Sequence, residues 1–232
     1  MTSVSNDQEY LEGITFLRYY AIISFLSLAA GIIVVVAFIG TFPYGYIVGG
    51  VGASLGAVSF TSGNFDTLLA YAGIISSVTT VLAIAGIFML YRGFGTLREL
   101  DEKFSLGRTG TILEVVGMVL LLVGTIALIS IMPSFLAVAN GPTAGSAMQA
   151  EFGTILATIA LIAVAAIITF VGMIFVIIGL FRVGSQFNNS LVEVGAILIL
   201  FLGIIGTILL YLGLTEIINK LRVDASSTDF AN

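Results

Sequence analysis

The 232-residue chain has no cysteine, no histidine, no tryptophan and only three prolines. Without cysteine there can be no disulfide, no thiolate nucleophile and no thiolate metal site. Without histidine the chain lacks the side chain that titrates nearest neutrality, which is also the commonest nitrogen ligand for zinc, copper and haem iron. A subunit carrying its own redox or metal centre is therefore not expected, and no cofactor is. Charge is scarce too. Asp, Glu, Lys and Arg make up 9% of the residues, against about 25% in soluble domains. So few charges cannot cover a water-facing surface, and no basic stretch suits nucleic acid.

Apolar residues fill the space, at 59% of the chain with a mean hydropathy of +1.17. They form long uncharged runs, and about 20 such residues in a helix cross the roughly 30 Å hydrocarbon layer. The runs predict an all-α integral membrane protein of about five transmembrane helices in the cell membrane, with the lipid bilayer as partner. The predicted spans are about 19–41, 66–91, 112–131, 152–181 and 194–218. Residues 1–18 read as an amphipathic lead-in that closes on Arg18-Tyr19-Tyr20, a pairing of residue types that collects at membrane interfaces. Pro133 is expected to end the third span, Asn140-Gly141-Pro142 marks an outer turn, and 219–232 reads as a mobile polar tail. The glycine-dense stretch 42–66 is expected to be an outer loop or a re-entrant segment, because glycine weakens a helix by about 1 kcal/mol per residue.

Charge placement sets an expected orientation. With five alternating spans, Arg18, Arg92, Arg98, Lys103, Arg108 and Arg182 share one side, most of them in a charged loop over 92–111. The positive-inside rule makes that side cytoplasmic. The N-terminus is then inside and the C-terminus outside, which leaves Lys220 and Arg222 on the wrong side.

Residues 66–124 and 151–213 read as two copies of one helical hairpin. Each opens on an acidic residue (Asp66, Glu151), closes its first span on an aromatic–arginine pair (Tyr91-Arg92, Phe181-Arg182), and carries a phenylalanine in the following loop (Phe104, Phe187). Glycine pairs seven apart recur at each of the last four spans: Gly86 and Gly93, Gly117 and Gly124, Gly172 and Gly179, Gly206 and Gly213. Seven residues return to the same helix face, and small residues let membrane helices approach closely. The expectation is one N-terminal span beside a four-helix bundle made of two duplicated hairpins.

Candidate chemistry is sparse. Ionisable residues inside a membrane are expensive and are functional suspects by default. The nearest is Glu114, with Asp66 and Glu151 as further candidate ion or proton contacts. Glu114 has two readings. It is an interfacial carboxylate paired with Arg92, Arg108 or Arg182 and favoured by a helix N-terminus, or a proton- or cation-linked site at the inner mouth of the bundle. Glu193 and Arg182 read as a pair closing the last hairpin. Intramembrane Ser and Thr residues, including Thr125, Ser130, Thr158, Thr169 and Thr207, are expected to bond the backbone one turn back. No nucleophile motif, phosphate loop or metal signature is present.

These features resemble the domain-of-unknown-function 973 family. The matching residues are Glu12-Gly13 and Leu17-Arg18-Tyr19-Tyr20 at the start, then Arg92-Gly93-Phe94, Leu97, Phe104, Gly107 and Gly110. Gly179-Leu180-Phe181-Arg182-Val183-Gly184 and Gly195-Ala196-Ile197-Leu198 complete the pattern. The resemblance implies an archaeal source and a multi-span fold, and it carries over no activity and no catalytic residue. On the residues alone, a non-catalytic structural or accessory subunit, or a homo-oligomeric component partnered by copies of itself, is the first expectation. A small transporter or channel built on the duplicated hairpins is the alternative, and a membrane-embedded enzyme comes third.

Overall fold

Apolar runs bounded by polar helix formers fold into helices longer than the hydropathy spans themselves. The computed structural model describes residues 2–41, 62–139 and 144–229, with side chains placed over 8–33, 77–128, 130–131 and 152–223. It contains α1 (Thr2–Thr41), α2 (Ser62–Leu100), α3 (Ser105–Ala139), α4 (Ala144–Gln186), α5 (Ser190–Phe201) and α6 (Gly203–Asp229), plus a 3-10 turn over Glu102–Phe104. No strand occurs among the described residues. All of these helices except α5 contain a stretch long and apolar enough to cross a membrane, five in total. The chain is a multi-pass helical membrane protein.

Several boundaries differ from the sequence expectation. The charged loop over 92–111 shrinks to a short connection, since α2 runs to Leu100 and α3 starts at Ser105. Arg, Glu, Leu and Lys are strong helix formers, so the solvated ends stay helical. Asp101 organises the connection by accepting the Lys103 amide at 3.0 Å and the Lys103 ammonium at 2.7 Å. That bonding holds the Asp101 carboxyl below its usual range. The third helix does not end at Pro133 but passes through it to Ala139; membrane helices tolerate proline. The tail stays helical to Asp229. The loop or re-entrant segment expected at 42–66 falls mostly outside the described residues, as does the turn at Asn140-Gly141-Pro142.

The largest departure is the fifth span. The apolar run 194–218 is not one helix. It breaks at Leu202, whose backbone (φ −134°, ψ 58°) leaves the helical region. α5 and α6 then fold back on each other in antiparallel register. A methyl group on Gly195 would lie 2.7 Å from the Leu210 amide nitrogen, one on Gly206 2.6 Å from the Leu198 carbonyl carbon, and one on Gly213 2.8 Å from the Val192 amide nitrogen. At the base, the Asn189 side chain accepts the Val192 amide at 3.1 Å and donates to Glu216 at 3.0 Å. Asn188 precedes it in the left-handed region (φ 49°). The Asn189 amide reaches back to the Gly184 carbonyl at 2.9 Å, the closure that ends many helices. At 12 residues, α5 is about 18 Å long, too short to cross the bilayer.

Two close pairs make up the rest. α1 packs antiparallel on α2, with Gly13 against Leu97, Gly93 against Leu17, and Gly86 against Tyr20 and Ile23. α3 packs on α4, with Gly110 against Gly172, Gly117 against Thr169, and Gly124 against Ile162. The hairpin lies against α1 and α4. All eight expected packing glycines thus face neighbours within the same chain. The buried core collects at one end of the bundle, around Leu17, Phe94, Leu97, Phe104 and Leu180, and continues through Leu210 and Leu214 of the hairpin. Phe94 sits in a notch where methyl groups on Gly107 and Gly179 would lie 2.5 and 2.8 Å from its ring. A T-shaped contact between Tyr10 and Phe187, 5.6 Å between centroids, ties the lead-in to that end.

Candidate functional site

Away from this core the α1–α2 and α3–α4 pairs leave a gap, and the tip of the α5–α6 hairpin closes one side of it. The gap is a cavity of about 310 Å³ lined by every long helix and by the hairpin. α1 contributes Tyr20, Ser24, Ser27 and Leu28, α3 contributes Glu114 and Met118, and α4 contributes Met173. Ile199, Gly203 and Thr207 enter from the hairpin. Tyr20, Ser24 and Ser27 share a face because three- and four-residue spacing returns to the same side of a helix. Tyr20 and Ser24 share a side-chain hydrogen bond, and Tyr20 lies within electrostatic reach of Glu114.

Glu114 is the only charged side chain lining the cavity among the described residues. Gly172 makes room for it, since a methyl group there would lie 2.7 Å from the Glu114 amide nitrogen and 3.0 Å from its Cγ. The carboxylate stands nine residues into α3, six beyond Arg108, which is about 9 Å past that cation. The interfacial pairing expected for it is not formed. Arg108 donates to the Tyr91 hydroxyl at 2.6 Å, Arg182 donates to the Lys103 carbonyl at 2.5 Å, and Arg92 lies over the Phe88 ring. Lys103 with Asp101 is the only ion pair among the described residues. The expected Glu193–Arg182 pair is also absent: Glu193 packs its Cγ against Gly184 instead. An unpaired carboxylate in a low-dielectric wall attracts a proton or a cation, because the alternative is an uncompensated charge.

The hairpin tip adds backbone polarity. α6 begins at Gly203 on the cavity wall, and the first amides of a helix have no partner within it. The Leu202 amide still reaches the Leu198 carbonyl at 2.7 Å, and the Gly206 amide reaches Leu202 at 3.0 Å. Thr207 donates its hydroxyl to the Gly203 carbonyl. Thr125, Ser130, Thr158 and Thr169 likewise bond the carbonyl four residues back, at 2.8 to 3.0 Å.

The side chains of the other two candidate contacts lie outside those described. Asp66 and Glu151 were expected at helix starts, but α2 begins at Ser62 and α4 at Ala144, so both lie inside helices. Among the described residues, no three acidic side chains group to hold a metal ion. Sequence reasoning missed Tyr20 as a cavity residue, and it missed Ser24 and Ser27. The spacing Tyr20, Ser24, Ser27 was the available signal.

A profile of the family described as "Protein of unknown function (DUF973)" matches residues 11–232. No characterised protein and no solved structure matches the chain.

Proposed function

The chain belongs to the DUF973 family of proteins of unknown function, and we propose that it is a small transporter whose solute site is the Glu114 cavity. The observation that carries this reading is a carboxylate with no protein counter-charge, facing a cavity beside a broken helix. Transporters place sites where discontinuous helices expose backbone polar groups near the membrane midplane. The hairpin tip meets α1 at Leu28, ten residues beyond Arg18, or about 15 Å into the bundle. That is roughly half a hydrocarbon thickness. A purely structural subunit gains nothing from an unpaired acid in the cavity wall below that tip.

An accessory subunit would offer its glycine faces to another chain, and here the paired glycines are occupied inside this one. The duplicated-hairpin idea keeps its sequence signature, but its two second members differ in shape: α3 is continuous, and its counterpart is broken at Leu202. In our reading that asymmetry opens the site.

The natural absence of cysteine allows a direct test. Ser27→Cys in the full chain, reconstituted in vesicles, reacts with a membrane-impermeant maleimide, because the cavity is wet from one side. Vesicles carrying the wild-type chain take up labelled solute from a panel of small ions and amines, and Glu114→Gln abolishes the uptake. An unreactive Ser27→Cys together with no uptake of any solute would return the chain to the accessory role.

A further inference from the structure

We infer that the cavity takes a small monovalent organic cation, which exchanges for a proton on Glu114. The inference rests on the transport reading and adds its substrate class. One carboxylate can neutralise one positive charge, so a proton and a monocation are alternative occupants. Binding is the balanced exchange Glu114–COOH plus cation giving Glu114–COO⁻·cation plus H⁺, with no oxidant and no other reactant.

The walls select the class. A bare alkali or divalent ion needs several oxygen ligands to replace its hydration shell. Here one carboxylate and the hydroxyls of Tyr20, Ser24 and Ser27 share a surface that is otherwise largely apolar, with Leu82, Met118, Met173 and Ile199 in it. The Thr207 hydroxyl already serves the Gly203 carbonyl. An organic cation instead brings its own apolar surface to those walls, and methionine side chains adapt to varied shapes. At about 310 Å³ the space lies at the small end of ligand sites, which suits a tetraalkylammonium with short chains better than a large aryl phosphonium. Tyr20 lines the same space, and aromatic rings attract cations. Among the described residues lining the cavity from α1, α2, α3, α4 and the hairpin, Tyr20 is the only titratable group besides Glu114, and no cationic side chain competes.

Calorimetry on the detergent-purified full chain tests this with tetraethylammonium as probe. Affinity rises about tenfold per pH unit in the acidic range where Glu114 carries its proton, then levels off, because one proton is displaced per cation. Heats measured in buffers of different ionisation enthalpy report that released proton. Glu114→Asp keeps the pH slope with weaker binding, Glu114→Gln loses binding while eluting as the same species, and tetraphenylphosphonium binds more weakly than tetraethylammonium. A pH-independent affinity, or binding retained by Glu114→Gln, overturns the inference. Glu114-dependent uptake of other solutes, without tetraethylammonium binding, sinks the substrate class and leaves the transport reading standing. Tetraethylammonium binding without any uptake does the reverse.

Discussion

At the residue scale, glycine governs how closely these helices pack, and its positions are not equivalent. Gly117 lies where α3 meets α4, and a methyl group there would sit 2.8 Å from the Thr169 amide nitrogen and 3.0 Å from its Cα. Backbone cannot yield as a flexible side chain can, so Gly117→Ala pushes the two helices apart. Overpacking of this kind destabilises by about 1–3 kcal/mol. Gly95, inside α2, has nothing within 4 Å of a methyl group. Gly95→Ala therefore raises helix propensity without a clash and is neutral or stabilising by up to about 1 kcal/mol. Unfolding midpoints in a denaturing-detergent titration separate the two. Equal midpoints would show that the α3–α4 contact does not hold the fold together. In lipid the association of helices rests on such van der Waals approach, since apolar burial against apolar solvent gains little.

At the scale of elements, the α5–α6 hairpin depends on its base. Asn189 caps α5 through the Val192 amide and bonds Glu216 on α6, so one side chain fixes both the start of one helix and the register of the other. Asn189→Ala removes the cap and leaves Glu216 without that donor, a loss of about 1–2 kcal/mol. Amide exchange should quicken across 190–201 and 203–216 while α3 and α4 stay protected. Uniform acceleration throughout would mean that the hairpin is not a separate unit. The helices themselves were legible in the sequence because length and apolarity decide them, and the seven-residue glycine spacing falls on positions with close neighbours inside the chain. The break at Leu202 was not legible. The run 194–218 is as apolar as a true span, and no proline interrupts it. What selects a short helix folded back on a longer one is tertiary: the constant register that Gly195, Gly206 and Gly213 allow. Glu114 was found from its charge. Of its two readings, the interfacial pairing depended on a helix start that lies earlier, at Ser105, and on arginines that are engaged elsewhere.

At the scale of the whole molecule, the hairpin changes the topology. Because α6 runs back beside α1, with Gly203 near Leu28 and Tyr211 near Ala21 and Ile22, its C-terminal end lies at the end of the bundle where α1 begins. The two ends expected on opposite sides are on the same side. This removes the discrepancy in the charge count. The eight cations of the chain all fall at one end: Arg18, Arg92, Arg98, Lys103, Arg108 and Arg182 as before, now joined by Lys220 and Arg222. The positive-inside rule predicts that this end faces the cytoplasm. The cysteine-free chain makes this measurable one position at a time. In intact cells, Glu9→Cys and Lys220→Cys resist an impermeant maleimide and react only after lysis, whereas Ser146→Cys, in the first turn of α4, reacts at once. Labelling of position 220 in intact cells with position 9 protected would restore a fifth complete crossing and unmake the hairpin. It would take the mid-membrane helix break out of the cavity wall as well.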